Sequence, residues 1–314
     1  MTRLILSTSN IITGGPSIIR KPGADRSNLE LTNSLRSNFL AAQQDYSPPL
    51  SATNGSPRSS CDEDHSSHRP QPSVWTTREG SDFYIPTIDW SLSGLAEERN
   101  QYDITVKLFY LPGAHVKDRR RHTKDAVDLV LKELGVESID LLIVSFPGMS
   151  FEGDCEWEAD KKNSAQGNDE EEIESWPAVE ELYNQGVVKK LGIAEFGSEK
   201  LARFLARAKV RPEVDQVNVK DCCNVPPPLL KLAKLEQIEL LTHNDCTDIL
   251  PSGTLRELLG QGVRGAGILS ESKRGIEGMK GDLTPEWVVK YTAVVRDRGV
   301  IENKGYFAAA ELKE

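Results

Sequence analysis

The stretch from Gly186 to Val219 constrains this chain more than any other. Val187, Val188, Leu191 and Ile193 are the apolar positions of a short strand. Ser198 then stands where a helix cap belongs, and Leu201, Phe204, Leu205 and Ala208 recur on one helical face. Pro212 ends that helix, and Val214, Val217 and Val219 begin a second strand. Two strands joined through a helix form a βαβ unit, which packs right-handed in a parallel sheet. The rest of the chain must supply the other strands of that sheet and helices to cover it.

It supplies them in alternation. Asp103 to Tyr110 is a β-branched and aromatic run, the pattern of a buried strand, with Lys107 inside it. A lysine there must reach solvent, a carboxylate or a polar cavity. The spacing of Ala126, Val127, Val130, Leu131 and Leu134 predicts a helix over 122–134, closed by Gly135. Ile139 to Pro147 reads as another buried strand, and Ser175 onward as a helix with Pro177 in its first turn. Leu229 to Leu235 reads as a helix and Gln237 to Asp245 as a strand with its end. Thr284 as cap and Pro285 at the first position predict a helix over 284–298, and Gly299 to Phe307 a last strand. This alternation predicts an α/β protein, a (β/α)8 TIM barrel of about eight strands in a single domain. Before Tyr102 the pattern is thinner. Leu4 to Leu6 suggests a first strand, Leu29 to Ala42 a helix and Leu92 to Tyr102 another.

Two stretches lack the apolar residues that packing needs. Residues 47–73 are mostly Pro, Ser, Asn, Arg and His and are expected to form a disordered insert. Residues 153–172, with the run from Asp169 to Glu172, are expected to form an acidic flexible loop. Gly260 to Gly265 spells the dinucleotide fingerprint by letter, but it follows a helix instead of a strand and reads as a loop.

Composition narrows the function classes. A formal net charge of −10 argues against a nucleic-acid or anionic-membrane surface. No apolar stretch is long enough to span a bilayer, and the first residues lack the apolar run of a signal peptide. The five cysteines are Cys61, Cys155, Cys222, Cys223 and Cys246. They show no paired metal spacing and suit free thiols in a reducing cytoplasm.

Several motifs carry a resemblance. Gly186 to Phe196, followed by Gln216-Val217-Asn218, resembles the strand–helix–strand signature of aldo-keto reductases. The strand holding Lys107 resembles the one that carries their active-site lysine. Leu-Gly-Val followed by Ile139-Asp140-Leu141 resembles their pattern before the catalytic histidine, and Ser145 stands at that histidine's place. Serine can neither carry charge nor present two ring nitrogens. No tyrosine falls where the reductase proton donor belongs. Other details are similar to one non-catalytic branch, the regulatory or modifier subunits of glutamate–cysteine ligase: Cys222-Cys223 before a proline run, Leu240 to Asp245, and Arg296 to Tyr306.

The resemblance implies an aldo-keto-reductase-type barrel that is not an enzyme. Lys107 would be vestigial, and the partner would be the glutamate–cysteine ligase catalytic subunit. It implies improved glutamate use and relief of glutathione feedback inhibition in glutathione biosynthesis. No cofactor is required on this reading; residual NADPH binding stays open through Lys107, Gln216, His243 and Lys304. His243 stands where reductases place the tyrosine that stacks on nicotinamide, and it reads either as a stacking residue or as a polar group at the barrel mouth. Cys222 and Cys223 are candidates for partner binding, or else a buried inert pair. The alternative function is a divergent NADPH-dependent aldo-keto reductase.

Overall fold

The computed structural model describes residues 2–13, 27–46, 69–218, 224–271 and 275–313. The chain opens with strand β1 (Thr2–Ser7) and helix α1 (Ser27–Gln44). Residues 47–68 of the expected insert lie outside the described residues. Its far end is built in: Arg69 donates to the Gly262 carbonyl oxygen at 2.6 Å, and Pro72–Trp75 forms the short helix α2. Strands β2 (Thr77–Glu79) and β3 (Asp82–Ile85) follow. The helix expected over 92–102 is absent; single 3-10 turns at Trp90–Leu92 and Arg99–Gln101 take its place.

From there the strand and helix alternation holds. Strand β4 (Tyr102–Tyr110) leads to α3 (Arg119–Leu134), which Gly135 ends in the left-handed conformation at φ 62°. Next come β5 (Ile139–Ser145), α4 (Glu156–Asn163), α5 (Asp169–Asn184) and β6 (Val188–Ala194). They are followed by α6 (Ser198–Leu205), β7 (Val214–Asn218), α7 (Pro227–Glu236) and β8 (Glu239–His243). β4 to β8 pair in parallel, each with the next in sequence. This succession is the βα repeat of a (β/α) barrel.

The acidic stretch 153–172 is not a loop: α4 and the first turn of α5 occupy much of it. Asn168 caps α5 by accepting from the backbone N–H groups of Glu170 and Glu171, and acidic residues are favoured beside that helix N-terminus. Asp169 pairs with Lys200 and Arg203, and Glu170 with Arg207. These cations, some thirty residues away in sequence, turn a self-repelling run into a packed one. Pro177 lies inside α5, not at its start.

The other departure is larger. After α8 (Thr254–Leu259), the residues expected to form a helix over 284–298 belong to a long strand, β9 (Asp282–Val295). It turns back at Gly299, φ 62°, into β10 (Val300–Lys313). Val288, Val289, Thr292, Val294 and Val295 are β-branched, and such side chains suit a pleated sheet. Pro285 falls where the register with β10 slips between Ala309 and Ala310, a bulge that excuses its missing N–H. The cap and first-turn proline were real signals, overridden by pairing on both edges of β9.

The sheet runs β2-β3-β1-β10-β9-β4-β5-β6-β7-β8, with β9 antiparallel to both neighbours. Its strands alternate between two cores. Leu108, Val144, Val289 and Ala309 face α3, α5 and α6 through Val127, Trp176 and Phe204. Leu6, Phe109, Val288 and Ala308 face α1 and α8 through Leu31, Leu35 and Leu258.

Candidate functional site

The site forms where the parallel strands meet the hairpin. Lys107, in the middle of β4, is buried and pairs in register with Lys290 of β9. Like charges directly opposite repel. Asp245, two residues past β8, resolves the conflict. Its Oδ2 accepts from Lys107 Nζ at 3.0 Å and its Oδ1 from Lys290 Nζ at 2.9 Å. Burial alone would raise the Asp245 carboxyl, but the two ammonium groups and nearby His243 hold it well below the usual range. Burial, helped by Lys290, lowers the Lys107 ammonium against the pull of Asp245.

A second pair adjoins the first. His243 Nδ1 accepts the backbone N–H of Asp245 at 3.0 Å, which leaves the proton on Nε2. Nε2 lies 2.5 Å from Glu195 Oε1. Glu195 sits at the end of β6 in the left-handed region, φ 64°, which is uncommon for a residue other than glycine. The backbone N–H of Asn218 donates to Glu195 Oε2 at 3.3 Å, and the Asn218 side chain donates to the Asp245 carbonyl at 3.2 Å. Asp215, fully buried one position before Gln216, accepts from the Phe196 N–H at 3.4 Å. Burial pushes its carboxyl well above the ordinary value, and Glu195 adds to this.

The residues expected from the sequence divide in two. Lys107 and His243 are drawn together through Asp245. Gln216 lies on β7 between Ala194 and Leu241, and its carboxamide oxygen is buried without a partner among the described residues. Ser145 ends β5, two register pairs beyond Lys107, opposite Phe109. Lys304 stands apart on β10, where its Nζ donates to Glu30 of α1 at 2.7 Å. Tyr306 bridges the two groups: its hydroxyl donates to Glu30 at 2.7 Å, and Lys290 lies 6.0 Å from its ring centroid. Burial and Glu30 raise the Tyr306 phenol well above its usual value. Cys222 and Cys223 lie outside the described residues. Asp245, Lys290, Glu195 and Tyr306 were missed by motif reasoning. Lys290, a lysine amid β-branched residues, was the signal available. Among the described residues, no cluster of His, Cys, Asp and Glu suits a metal ion, and no helix is long and apolar enough to cross a membrane.

A parallel βα succession with a buried lysine on its first strand, and polar groups gathered at the C-terminal strand ends, defines a barrel-type α/β protein. The chain belongs to the aldo/keto reductase family, whose sequence profile matches residues 88–258. Its relatives include the glutamate–cysteine ligase regulatory subunit of Mus musculus, 28% identical over 217 residues, 69% of each chain. The putative glutamate–cysteine ligase regulatory subunit of Schizosaccharomyces pombe is 29% identical over 225 residues, covering 69% of this chain and 74% of that protein. The NADPH-dependent alpha-keto amide reductase of Saccharomyces cerevisiae is 31% identical over 132 residues, 42% of this chain and 36% of that protein.

Proposed function

We propose that this chain is a non-catalytic regulatory subunit that forms a heterodimer with the catalytic subunit of glutamate–cysteine ligase in the cytoplasm. In that complex it improves glutamate use and relieves glutathione feedback inhibition in glutathione biosynthesis. The observation that carries this reading is the similarity over 69% of the chain to proteins named as that regulatory subunit. The site's chemistry supports it. Lys107 is paired with Asp245. Ser145 stands where the resemblance expects histidine, and the hydroxyl of Tyr306, the tyrosine nearest the lysines in register, is held by Glu30. No cofactor is required, although Gln216, His243 and the lysines leave room for residual NADPH binding.

A regulator shifts its partner's equilibrium only by binding one state more tightly than another. The loops after β5, β7 and β8 are the contact face in this reading, because loops at the strand ends of a barrel vary on a rigid scaffold. Cys222 and Cys223 lie in sequence between β7 and α7, and their thiols would serve a mixed disulfide under oxidising conditions. Adding the protein to its cognate catalytic subunit is expected to lower the apparent KM for glutamate and weaken glutathione inhibition. Absence of both association and kinetic effect at micromolar concentrations would overturn the reading. One observation favours a second reading, a divergent NADPH-dependent reductase: Lys107 is retained on β4 in a chain of the reductase family. NADPH-dependent turnover of an aldehyde that vanishes in Lys107→Met would establish it.

A further inference from the structure

The segment between β5 and α5 closes on itself. The Ser150 N–H donates to Gln166 Oε1 at 2.8 Å, and Gln166 Nε2 donates to the Ser150 hydroxyl at 3.0 Å. α4 lies inside that closed stretch, and a segment with joined ends is a compact unit of its own. Its hold on the core is thin: Ala159 is the one apolar residue among the three that α4 buries.

Two polar side chains tie α4 to the end of β6 and the start of α6. Asp160 accepts from the Ser198 N–H at 2.7 Å and from the Ser198 hydroxyl at 2.6 Å. Asn163, fully buried, reaches both sides of Phe196. Its Oδ1 accepts from the Gly197 N–H at 2.6 Å, and its Nδ2 donates to the Glu195 carbonyl at 2.7 Å. The approach is so close that residue 197 admits no side chain. A Cβ there would stand 2.6 Å from Asp160 Oδ1 and 2.9 Å from Asn163 Oδ1. The backbone of Gly197 is ordinary, φ −75° and ψ 174°, so α4 and not local conformation calls for the glycine.

The residue that Asn163 grips is the strained one. Glu195 is buried at φ 64°, and a side chain persists in that region only where its surroundings over-determine it. Its N–H is fixed by the Gln216 carbonyl at 3.0 Å and its own carbonyl by Asn163. So held, its carboxylate spans His243 and the Asn218 N–H. We infer that α4 is a strap that locks Glu195 in the left-handed conformation. Lifting the strap lets Glu195 return to an ordinary φ, withdraws its carboxylate from His243 and loosens the ion network at the strand ends. Elements anchored by few apolar contacts are the ones that open before the whole domain does, which makes α4 the moving part. The device needs neither a partner nor a cofactor and stands apart from the regulatory reading.

Native-state hydrogen exchange of the full chain reads both ends of this device without any substitution. The Gly197 and Ser198 amides report the strap, because their acceptors belong to α4. The Asn218 amide reports the Glu195 carboxylate. All three should exchange through one opening, with one urea dependence, at a lower free energy than the amides inside β6. An Asn218 amide that opens separately from the other two overturns the proposal. Two variants sharpen the test. Asn163→Asp keeps an oxygen for Gly197 but removes the donor to Glu195, and it should speed exchange at Asn218 by about tenfold. Gly197→Ala pushes α4 away and should speed exchange at Ser198 and Asn218 together. Faster exchange at Ser198 with Asn218 unchanged would make α4 no more than a cap on α6 and would overturn the strap. Should either variant fail to fold, exchange in the parent still decides.

Discussion

The two halves of the sheet solve the same problem differently. From β4 to β8 the strands are parallel, short and joined by helices that cover the face carrying Leu108 and Val144. From β9 through β10 to β1 and β3 the pairing is mainly antiparallel, and β9 and β10 are each 14 residues long. There one face is covered by α1 and α8, the helix that follows β1 and the helix that precedes β9. The parallel half provides a lysine and several carboxylates at its strand ends. The hairpin provides Lys290, which takes the second oxygen of Asp245 and completes a closed ion network. The comparison teaches that the hairpin does more than extend the sheet: it fills with fixed charge the position where a βα barrel keeps its chemistry.

Breaking that seam should have the largest effect. Asp245→Ala leaves the buried Lys107 and the half-buried Lys290 facing each other without the carboxylate that bonds both. Removing one partner of a buried ion network costs about 3–5 kcal/mol, read as a lowered urea midpoint. Adding Lys290→Met should recover part of the loss, because a neutral side chain removes the repulsion. A double variant no more stable than Asp245→Ala would show that the hairpin lysine and the parallel-half lysine are not coupled.

The next test asks whether the halves unfold as one unit. Leu191→Ala opens the core under α3, α5 and α6, and Leu6→Ala opens the core under α1 and α8. Each should cost about 2–5 kcal/mol. Because β9 and β10 contribute alternate residues to both cores, both losses should appear in a single cooperative transition by fluorescence and circular dichroism alike. Two separated transitions in Leu6→Ala would mean that the hairpin half melts alone.

The halves also differed in how readable they were. In the parallel half each strand is paired with a neighbour close in sequence, and the helix between them shows its own apolar period, so the strand–helix–strand order from Val188 to Asn218 was legible, although Gly197, not Ser198, is the cap and the helix stops at Leu205, well before Pro212. Lys107 was legible because a cation inside a β-branched run demands a partner. The partner itself was not, since Asp245 lies 138 residues away and nothing local marks it. The hairpin was misread because Thr284 and Pro285 form a sound helix start, and only the pairing of β9 with β4 and β10 outweighs it. The acidic run of α5 was misread for the same reason: Lys200 and Arg203 of α6, and Arg207 just past it, neutralise it from elsewhere in the chain.

The finest test compares two buried carboxylates, Asp245 at the seam and Asp215 inside the parallel half. They shift in opposite directions. The seam carboxyl, compensated by both lysines, lies below its unfolded value, so its contribution is present above the unfolded pKa and is lost as pH falls through the folded one. Asp215 has the hairpin's help from neither lysine by hydrogen bond, only the Phe196 N–H, and burial raises it. Its folded state holds a proton that the unfolded state releases, so stability is fullest below the unfolded pKa and declines as pH rises toward the folded one. Asp215→Asn removes that decline while keeping an oxygen to accept from Phe196. The stability of the variant relative to the parent should therefore rise as pH increases over the interval above the unfolded carboxyl value of 3.8, in chemical denaturation at matched ionic strength. A difference that stays flat over that interval would place Asp215 in the ionised form, and the two halves would then handle buried acid alike.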